Sequence, residues 1–487
     1  MTNEEDIVET KEKRLCHRCI GEEYLKNEVR RKGKYRQCSY CNRGGRSYTI
    51  EDFAERVETA FEQHFRQTSD QPTSWQQSLL SDQECNYDWE RDGEPVVWAI
   101  ANATEIPEQA AQDIQSILDD KHSDFDAAVM GEETEFCSES YYVEKGPNDD
   151  EWQGKWFSLE QSLKTEARFF SRNSAADLAT IFDGIDKMYT SDKRTLVINA
   201  GPKTTVTEIF RARVFQSEEK LLEALCRPDY HLGPPPAAFA IAGRMNARGI
   251  SVFYGANNPS LTIAEVRPPV GSQVLVARFE IVRPLKLLDL TALNAVTEIG
   301  SVFDPSWADR LDRATFLRSI CQRMTRPVMP DDEAFEYIPT QAVADFLATE
   351  NDPVLDGIVF PSVQVAGDGL NIVLFHKAAR VEAIELPEKT NIEASTGLMG
   401  EDGWEADYSV TEWIPRIKPV EKVAENDLPF ISTLSSDSTY SYSGDFRDIT
   451  LKIDLKSVRV HIVDKVRFDT FSHDVRRNRW ERNGINF

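Results

Sequence analysis

The sequence contains no run of about 18 or more apolar residues, which is the length that a membrane-spanning helix needs. Its opening residues, Met1 to Asp6, are polar and acidic, and they lack the apolar core of a secretory signal. These absences predict a cytoplasmic protein that makes no membrane contact. At 487 residues, with 40% hydrophobic side chains, the chain is long enough for about two to four domains with buried cores.

Basic side chains are scarce just after the N-terminal segment. Residues 51–150 contain 5 basic and 26 acidic side chains, whereas residues 1–46 contain 12 basic and 8 acidic ones, in a chain of net charge −26. An acidic surface of this kind repels a phosphate backbone. The acidic stretch is therefore excluded as a nucleic-acid site. The basic side chains of the N-terminal segment could contact nucleic acid, a protein partner or only solvent.

Four of the eight cysteines form two pairs near the N-terminus, Cys16 with Cys19 and Cys38 with Cys41. Two residues separate the members of each pair, so two thiolates can reach one ion. Four sulfurs complete a tetrahedral shell that leaves no open position for an activated water. The spacing predicts a structural Zn²⁺ site with these four ligands.

Hydrophobic patterns divide the rest of the chain. Thr49 followed by Asp52 predicts a capped helix, and apolar residues at helical spacing come after it. From about residue 195 the pattern changes to short strands separated by Gly and Pro, and Ser260 is expected to cap a short helix. We expect an α+β protein. The predicted parts are a four-cysteine zinc ribbon (1–48), a mainly helical N-terminal domain (49–200), a mixed α/β domain (201–388) and a C-terminal extension (389–487) with a closing strand (457–468).

Three side chains in the second half suit a nucleotide site. Arg244 lies beside a glycine, Tyr254 ends a predicted strand, and Glu265 lies on the next helix. An arginine fork fits a pyrophosphate, and an aromatic face fits a flat nicotinamide ring. A carboxylate fits a ribose hydroxyl and a developing oxocarbenium charge. These groups are what cleavage of the N-glycosidic bond of NAD⁺ requires, although Glu265 could instead pair with Arg267 on the helix surface.

The order of these residues, together with the stretches 356–362 and 369–375, resembles the RES domain family over about residues 205–385. Members of that family look like diphtheria-toxin-type ADP-ribosyltransferases, which implies a split β-sheet core in the RES domain at 201–388. The site residues that the resemblance implies are Arg211, Arg244, Tyr254, Glu265 and Ser362.

The resemblance also implies a role for each residue. Arg211 and Arg244 would hold the pyrophosphate, and Tyr254 would stack on nicotinamide. Glu265 would bond the ribose and stabilise the oxocarbenium ion, with Ser362 orienting either group. Asn246 is a further candidate, either for ligand contact or for holding its own loop.

Residues 1–200 resemble the HEPN/RES N-terminal region found ahead of some RES domains. HEPN ribonucleases use an Arg followed by a His after four to six residues. The histidines of this region are His17, His64 and His122, and none has an Arg at that distance. The sequence therefore argues against ribonuclease activity.

The leading hypothesis is a toxin-like NAD⁺ glycohydrolase that takes NAD⁺ as substrate and carries a structural Zn²⁺. The first alternative is a mono-ADP-ribosyltransferase that modifies a macromolecule. The second is a catalytically inactive zinc-ribbon sensor or binding protein. An antitoxin or another regulatory protein is the expected partner, and nucleic-acid contact by the basic zinc module is a lesser alternative.

Overall fold

A computed structural model describes residues 4–82, 86–168, 171–362, 364, 367, 369–400, 403–415, 445–467 and 470–479. The chain is a mixed α/β protein that divides into two compact units. Unit 1 comprises Met1–Leu196 and Ala292–Arg323, and unit 2 comprises Val197–Thr291 and Met324–Phe487. The expected mixture of helices and strands is confirmed, whereas the four domain boundaries remain a prediction.

The described helices are α1 (Glu4–Glu12), α2 (Glu23–Lys32), α3 (Ile50–His64), α4 (Ser74–Ser81), α5 (Val96–Thr104), α6 (Glu108–Lys121), α7 (Phe125–Met130), α8 (Asp150–Gln161), α9 (Arg172–Phe182), α10 (Glu218–Cys226), α11 (Pro228–His231), α12 (Pro259–Glu265), α13 (Leu290–Leu293), α14 (Trp307–Thr325), α15 (Glu333–Glu336) and α16 (Ile338–Thr349). Within the described ranges, none of them has the length and apolar character to cross a bilayer.

The described strands are β1 (Arg14–Cys16), β2 (Lys34–Gln37), β3 (Gly44–Thr49), β4 (Phe65–Gln67), β5 (Glu94–Pro95), β6 (Tyr141–Glu144), β7 (Tyr189–Thr190), β8 (Val197–Ala200), β9 (Glu208–Phe215), β10 (Phe253–Ala256), β11 (Gln273–Ile281), β12 (Leu285–Asp289), β13 (Val296–Thr297), β14 (Gly357–Pro361), β15 (Leu370–Leu374), β16 (Asn391–Gly400), β17 (Gly403–Trp413), β18 (Leu451–Ile453) and β19 (Arg459–Ile462).

Helix α3 begins where the sequence predicts. The Thr49 hydroxyl accepts a hydrogen bond from the backbone N–H of Asp52, and the Asp52 carboxylate accepts one from the backbone N–H of Thr49. This capping box satisfies two backbone donors at the start of the helix. The apolar face of α3 then packs on α6 in a core that also contains Leu15 of β1 and Leu25 of α2. The cysteine-rich segment and the helices that follow it therefore share one hydrophobic core.

A segment distant in sequence completes unit 1. Phe303 belongs to the same core as α3, and its carbonyl accepts a hydrogen bond from Arg56. Farther along, the Phe316 ring of α14 lies 6.0 Å from the ring of Trp152 and 6.2 Å from that of Trp156, both on α8. Because buried aromatic contacts of this size dominate core energetics, residues 292–323 are an integral part of this unit.

Nine of the described strands of unit 2 form one large sheet, in the order β18-β11-β9-β10-β15-β14-β12-β8, with β19 also paired to β11, and β16 and β17 pair with each other in a separate two-stranded sheet. The pairing of β12 with β14 is parallel, and the other pairings in this sheet are antiparallel. Strand β19 lies within the range 457–468 in which the sequence predicts a closing strand, and residue 468 is outside the described residues. Apolar side chains, including Phe253 and Phe279 with ring centroids 5.0 Å apart, cover one face of the sheet.

The short helix that carries Glu265 starts two residues earlier than expected. The prediction that Ser260 caps α12 is wrong, because the side chain of Asn258 accepts the hydrogen bond from the backbone N–H of Leu261. Pro259 takes the first helical position, where its fixed φ suits a helix and its missing N–H leaves no donor unpaired. Glu265 is the last residue of α12, and the helix packs on β9, β10 and β11.

Gly255 lies where β10 packs tightly against β9. A Cβ atom at this position would lie 2.3 Å from the Ile209 side chain and 2.6 Å from the carbonyl oxygen of Phe210. Because the second of these neighbours is backbone, it cannot move aside without shifting a central strand.

We expect Gly255→Ala to lower the free energy of unfolding by roughly 1–3 kcal/mol, the usual effect of overpacking a close-packed site. Gly146→Ala is the matched control, because nothing lies within 4 Å of a Cβ built at that glycine. Urea unfolding of the two variants beside the wild type measures the difference. Equal midpoints for both variants would show that the strands do not approach this closely.

Candidate functional site

A cavity of about 330 Å³ opens on unit 2 and lies at the lower end of the range for small-molecule sites. Strands β9, β10, β14 and β15 and helix α12 form its walls, together with residues near α15 and α16. The lining residues that carry charge or hydrogen-bonding groups are Arg211, Arg244, Tyr254, Thr262, Glu265, Arg267, Thr325, Tyr337, Gln364 and Asn371.

The Glu265 carboxylate is held through one of its two oxygens. The Ser362 hydroxyl donates to Glu265 Oε1 at 2.6 Å, and the Asn371 side-chain amide donates to the same oxygen at 2.8 Å. Among the described residues, Glu265 Oε2 has no hydrogen-bond partner and Glu265 forms no ion pair with Arg267. The carboxylate is therefore fixed in orientation and keeps one oxygen for another partner.

Asn371 is part of this arrangement, although no sequence motif singles it out as a site residue. It lies near the start of β15, opposite Ala256 of β10 and Phe360 of β14, and only 7% of it is exposed. A buried amide in an otherwise apolar strand needs a hydrogen-bond partner. This rule could have marked Asn371 as a residue that needs a partner. The strand register that brings Asn371 to Glu265, however, is not visible in the sequence.

Tyr254 and Asn246 are bonded to each other beside the cavity. The Tyr254 hydroxyl donates to Asn246 Oδ1 at 2.9 Å and accepts from the backbone N–H of Met245 at 3.0 Å. Burial raises the pKa of the Tyr254 phenol, so the hydroxyl stays protonated at neutral pH. The hydrogen bonds fix the ring, and the ring lines the cavity.

The amide of Asn246 is fully engaged by its own loop. Asn246 Nδ2 donates to the carbonyl oxygens of Ile241, Ala247 and Ile250 at 2.9, 3.2 and 3.1 Å. The residue is buried and lines a neighbouring cavity of about 340 Å³ that also touches Arg211 and Tyr254. Of the two alternatives set out for Asn246, this geometry favours the one in which it holds the loop.

Arg244 is half-buried, and the chain around it fixes its guanidinium group. Its Nη1 donates to the carbonyl oxygens of Met324 at 3.0 Å and Arg326 at 2.7 Å. The guanidinium carbon also lies 5.0 Å from the ring centroid of Tyr337, a cation–π distance. Within the described part of the chain, no acidic side chain pairs with Arg244, so its charge is not neutralised.

Arg211 carries a second charge without a counter-ion. Its guanidinium carbon lies 4.6 Å from the Phe253 ring centroid, and its buried Nη1 has no hydrogen-bond partner. Burial, with the nearby charge of Arg213, lowers the pKa of Arg211 to about 10, so the group is still a cation at neutral pH. A half-buried cation without a counter-ion is costly, and an anionic ligand would remove that cost.

The structure thus brings most of the predicted site residues together. Arg211, Arg244, Tyr254 and Glu265 line one cavity, and Ser362 reaches it through its bond to Glu265. Asn246 does not line this cavity and is hydrogen-bonded to Tyr254, which does. Arg267 and Tyr337 also line the cavity and had not been identified as site residues.

The four N-terminal cysteines form a second candidate site, in unit 1. Their sulfur atoms all lie within 4.8 Å of one another, with separations of 3.8 Å from Cys16 to Cys19, 3.6 Å from Cys16 to Cys41 and 3.9 Å from Cys19 to Cys38. Tetrahedral coordination with bonds of about 2.3 Å requires sulfur atoms about 3.8 Å apart. The cluster therefore fits a single metal ion.

The surroundings shift the pKa values of the cysteines in opposite directions. Burial raises the pKa of Cys16 and Cys19, since a thiolate loses solvation there. The backbone N–H of Arg43 acts in the opposite direction and lowers the pKa of Cys41 to about 7. A metal ion at the centre of the cluster would stabilise all four thiolates together.

Comparison with known proteins supports the interpretation of unit 2. Residues 213–394 match the family model described as the RES domain, so the resemblance predicted from the sequence is confirmed. The matched range contains Arg244, Tyr254, Glu265 and Ser362 and begins two residues after Arg211. Searches of curated proteins and of solved structures found no match.

We expect the purified protein to contain about one tightly bound metal ion per chain, and Cys38→Ser to lose it and destabilise unit 1, because structural metal binding contributes folding free energy. Cys137→Ser is the matched control, since Cys137 lies outside the cluster. Elemental analysis and thermal unfolding measure the two effects. Metal-free wild-type protein that unfolds at the same temperature with and without added metal would rule out this site.

Proposed function

We propose that unit 2 is an NAD⁺ glycohydrolase that cleaves the bond between nicotinamide and ribose. The RES domain match indicates an NAD-related, toxin-like function, and the finer assignment rests on the geometry of the cavity. One observation carries it most directly. Glu265 is held on one oxygen by Ser362 and Asn371 and keeps the other for a ligand. The cavity is also lined by Arg211 and Arg244, which lack counter-ions among the described residues. An ADP-ribosyltransferase-like core is part of the proposal.

The arginines account for recognition of the pyrophosphate. Arg211 and Arg244 line the same cavity, and neither charge is neutralised by a described acidic side chain. The carbonyls of Met324 and Arg326 occupy only Nη1 of Arg244, which leaves its other donors for phosphate oxygens. Arg267 adds a third positive charge at the rim. A dianionic pyrophosphate would neutralise two of these charges in a partly desolvated site.

Tyr254 supplies the aromatic surface. Its hydroxyl is anchored by Asn246 and by the backbone of Met245, so the ring is held in place before a ligand arrives. A fixed ring loses little conformational entropy when a flat nicotinamide stacks on it. Asn246 acts here as a positioning residue that acts through Tyr254.

Glu265 provides the electrostatic contribution to the reaction. As the C1′–N bond breaks, nicotinamide leaves with the bonding electron pair as a neutral molecule, and positive charge develops on the ribose. The fixed carboxylate bonds a ribose hydroxyl and stabilises that charge. Water then adds at C1′ and loses a proton, giving ADP-ribose. Ser362 and Asn371 keep the carboxylate oriented during this step, so little reorganisation is needed.

The metal of the cysteine cluster is, in this proposal, Zn²⁺ with a structural role. Four sulfurs at tetrahedral spacing are the donor set typical of structural zinc, and they leave no position open for substrate. The ion would then stabilise unit 1 and take no part in the reaction.

One assay separates the alternatives. Purified protein is incubated with NAD⁺, and nicotinamide and ADP-ribose are quantified with and without candidate protein acceptors. Equal amounts of the two products support hydrolysis. Nicotinamide release that requires an acceptor, with ADP-ribose attached to it, would favour a mono-ADP-ribosyltransferase. No release under either condition would favour the inactive binding protein. An antitoxin or regulatory partner remains part of the proposal for the cell.

We expect Glu265→Gln to lower kcat at least about a hundredfold, the scale of losing one preorganised electrostatic contact, with little change in KM. The amide keeps the size of the side chain and removes its charge. Arg244→Ala serves as the contrast, because it removes a contact made in both ground and transition states and should raise KM. Near-normal turnover by the Glu265 variant would refute the assigned role.

Ser362→Ala and Asn371→Leu each remove one donor to Glu265. We expect each to lower kcat by about tenfold to a hundredfold, since a hydrogen bond to a charged group contributes roughly 1.5–3 kcal/mol. Because both donors serve one oxygen, the double variant should lose less than the product of the single effects. Asn371→Leu preserves the volume of the strand residue. A purely structural role would appear instead as a lower unfolding midpoint with unchanged kcat.

A further inference from the structure

The cysteine-rich segment of unit 1 carries a concentrated positive charge. Residues 14–46 contain 10 basic and 3 acidic side chains, a net charge of 10 − 3 = +7, in a chain whose net charge is −26. Four thiolates and one Zn²⁺ would contribute −2, so the segment stays cationic with metal bound. A charge of this sign within an acidic protein needs an explanation beyond general solubility.

Most of this charge lies at the end of helix α2 and on strand β2, and it faces solvent. Helix α2 ends with Arg30, Arg31 and Lys32, and the chain then enters strand β2, whose residues are all exposed. β2 is one of the two edge strands of the sheet ordered β1-β3-β2. We call the exposed residues Arg30, Arg31, Lys34, Tyr35, Arg36 and Arg43 the basic edge.

The basic edge is not neutralised by neighbouring acids. The segment's acidic residues are otherwise occupied, since Glu28 pairs with Lys32 and Arg56, and Glu22 caps α2. Glu23 pairs with Lys26. Across the described ranges, none of the five cations of the basic edge forms an ion pair. Their charges are therefore available to a polyanion at no cost in broken pairs.

An aromatic ring lies among these charges. Tyr35 is 71% exposed, between Lys34 and Arg36 on β2, and its Cα partner across the sheet is Arg46. Gly44 leaves room for the ring, because a Cβ there would lie 3.1 Å from the Tyr35 hydroxyl oxygen. A single exposed ring is common on protein surfaces, so Tyr35 indicates a binding site only in combination with the nearby charges. An exposed ring on the same edge strand as the unpaired cations Lys34 and Arg36 matches the stacking platforms of proteins that bind single strands.

We propose that the basic edge binds single-stranded nucleic acid, with the cations on consecutive phosphates and Tyr35 stacked on a base. Single-stranded bases can unstack and reach a side chain, whereas a duplex keeps its bases paired. The acidic stretch at 51–150 would also repel a long rigid duplex more than a short flexible strand. This inference does not depend on the NAD⁺ reaction of unit 2.

The test is fluorescence anisotropy of the full-length protein with labelled oligonucleotides of about 12 nucleotides, a length near the site size of small single-strand binders. The experiment has four arms, which are single-stranded RNA, single-stranded DNA, a duplex of the same length and a polyglutamate peptide. We expect both single strands to bind. With about four phosphate contacts, the log–log slope of affinity against salt should be about −3.

Variants locate the surface. Arg36→Glu and Lys34→Glu should each weaken binding at least about tenfold at low salt. Tyr35→Ala should weaken it at least about fivefold, whereas Tyr35→Phe should bind normally, because stacking does not need the hydroxyl. Arg66→Glu is the matched control, since Arg66 is an exposed strand arginine on β4, outside the basic edge. Each variant is checked for unchanged metal content and unfolding temperature.

Three results would overturn the proposal. Polyglutamate binding as tightly as RNA would point to an acidic protein partner instead. Tighter binding of the duplex would contradict single-strand recognition. Equal affinities for the wild type and for the Arg36, Lys34 and Tyr35 variants would show that the basic edge is not the binding surface.

Discussion

The hydrogen bonds to the Glu265 carboxylate join three parts of unit 2 that are far apart in sequence. Ser362 and Asn371 lie 97 and 106 residues after Glu265, and both donate to one oxygen. The contact exists only if α12 ends at Glu265, β14 ends just before Ser362, and β15 pairs with both β10 and β14. A half-buried carboxylate without these donors would lose part of its solvation, so the hydrogen bonds and the sheet register support each other.

Around this carboxylate, the cavity separates two kinds of polar group. Asn246 and Tyr254 are bonded to each other and to the backbone, so they define the shape of the site. The guanidinium groups of Arg211 and Arg244 have charges that the described residues do not neutralise. Groups with satisfied hydrogen bonds hold a site rigid, whereas unpaired charges attract a ligand. This division supports an anionic substrate and explains why Asn246 is better placed to hold the loop than to touch the ligand.

Much of this could be predicted from the sequence, and the exceptions have physical causes. Patterns that lie within a short stretch of sequence can be recognised without knowledge of the fold. Examples are the capping box at Thr49, the cysteine spacing and the order of Arg244, Tyr254 and Glu265. Asn371 could not be assigned, because its partner is set by strand register. Asn258 and Ser260 are both good capping residues, and Pro259 at the first helical position decides between them. Helix α8 packs its two tryptophans on Phe316, which is distant in sequence, so the sequence of α8 alone does not show this contact.

The path of the chain between β12 and β14 affects how the protein is made. These two strands are parallel neighbours, yet residues 292–323 between them belong to unit 1. On the ribosome, unit 1 cannot close its core until Phe303 and Phe316 have emerged, by which time the first five strands of unit 2 are already exposed. The two units must therefore fold during overlapping periods of synthesis. A cut at residue 200 would also separate α14 from the aromatic residues of α8, so truncated fragments of this protein are poor substitutes for the whole chain.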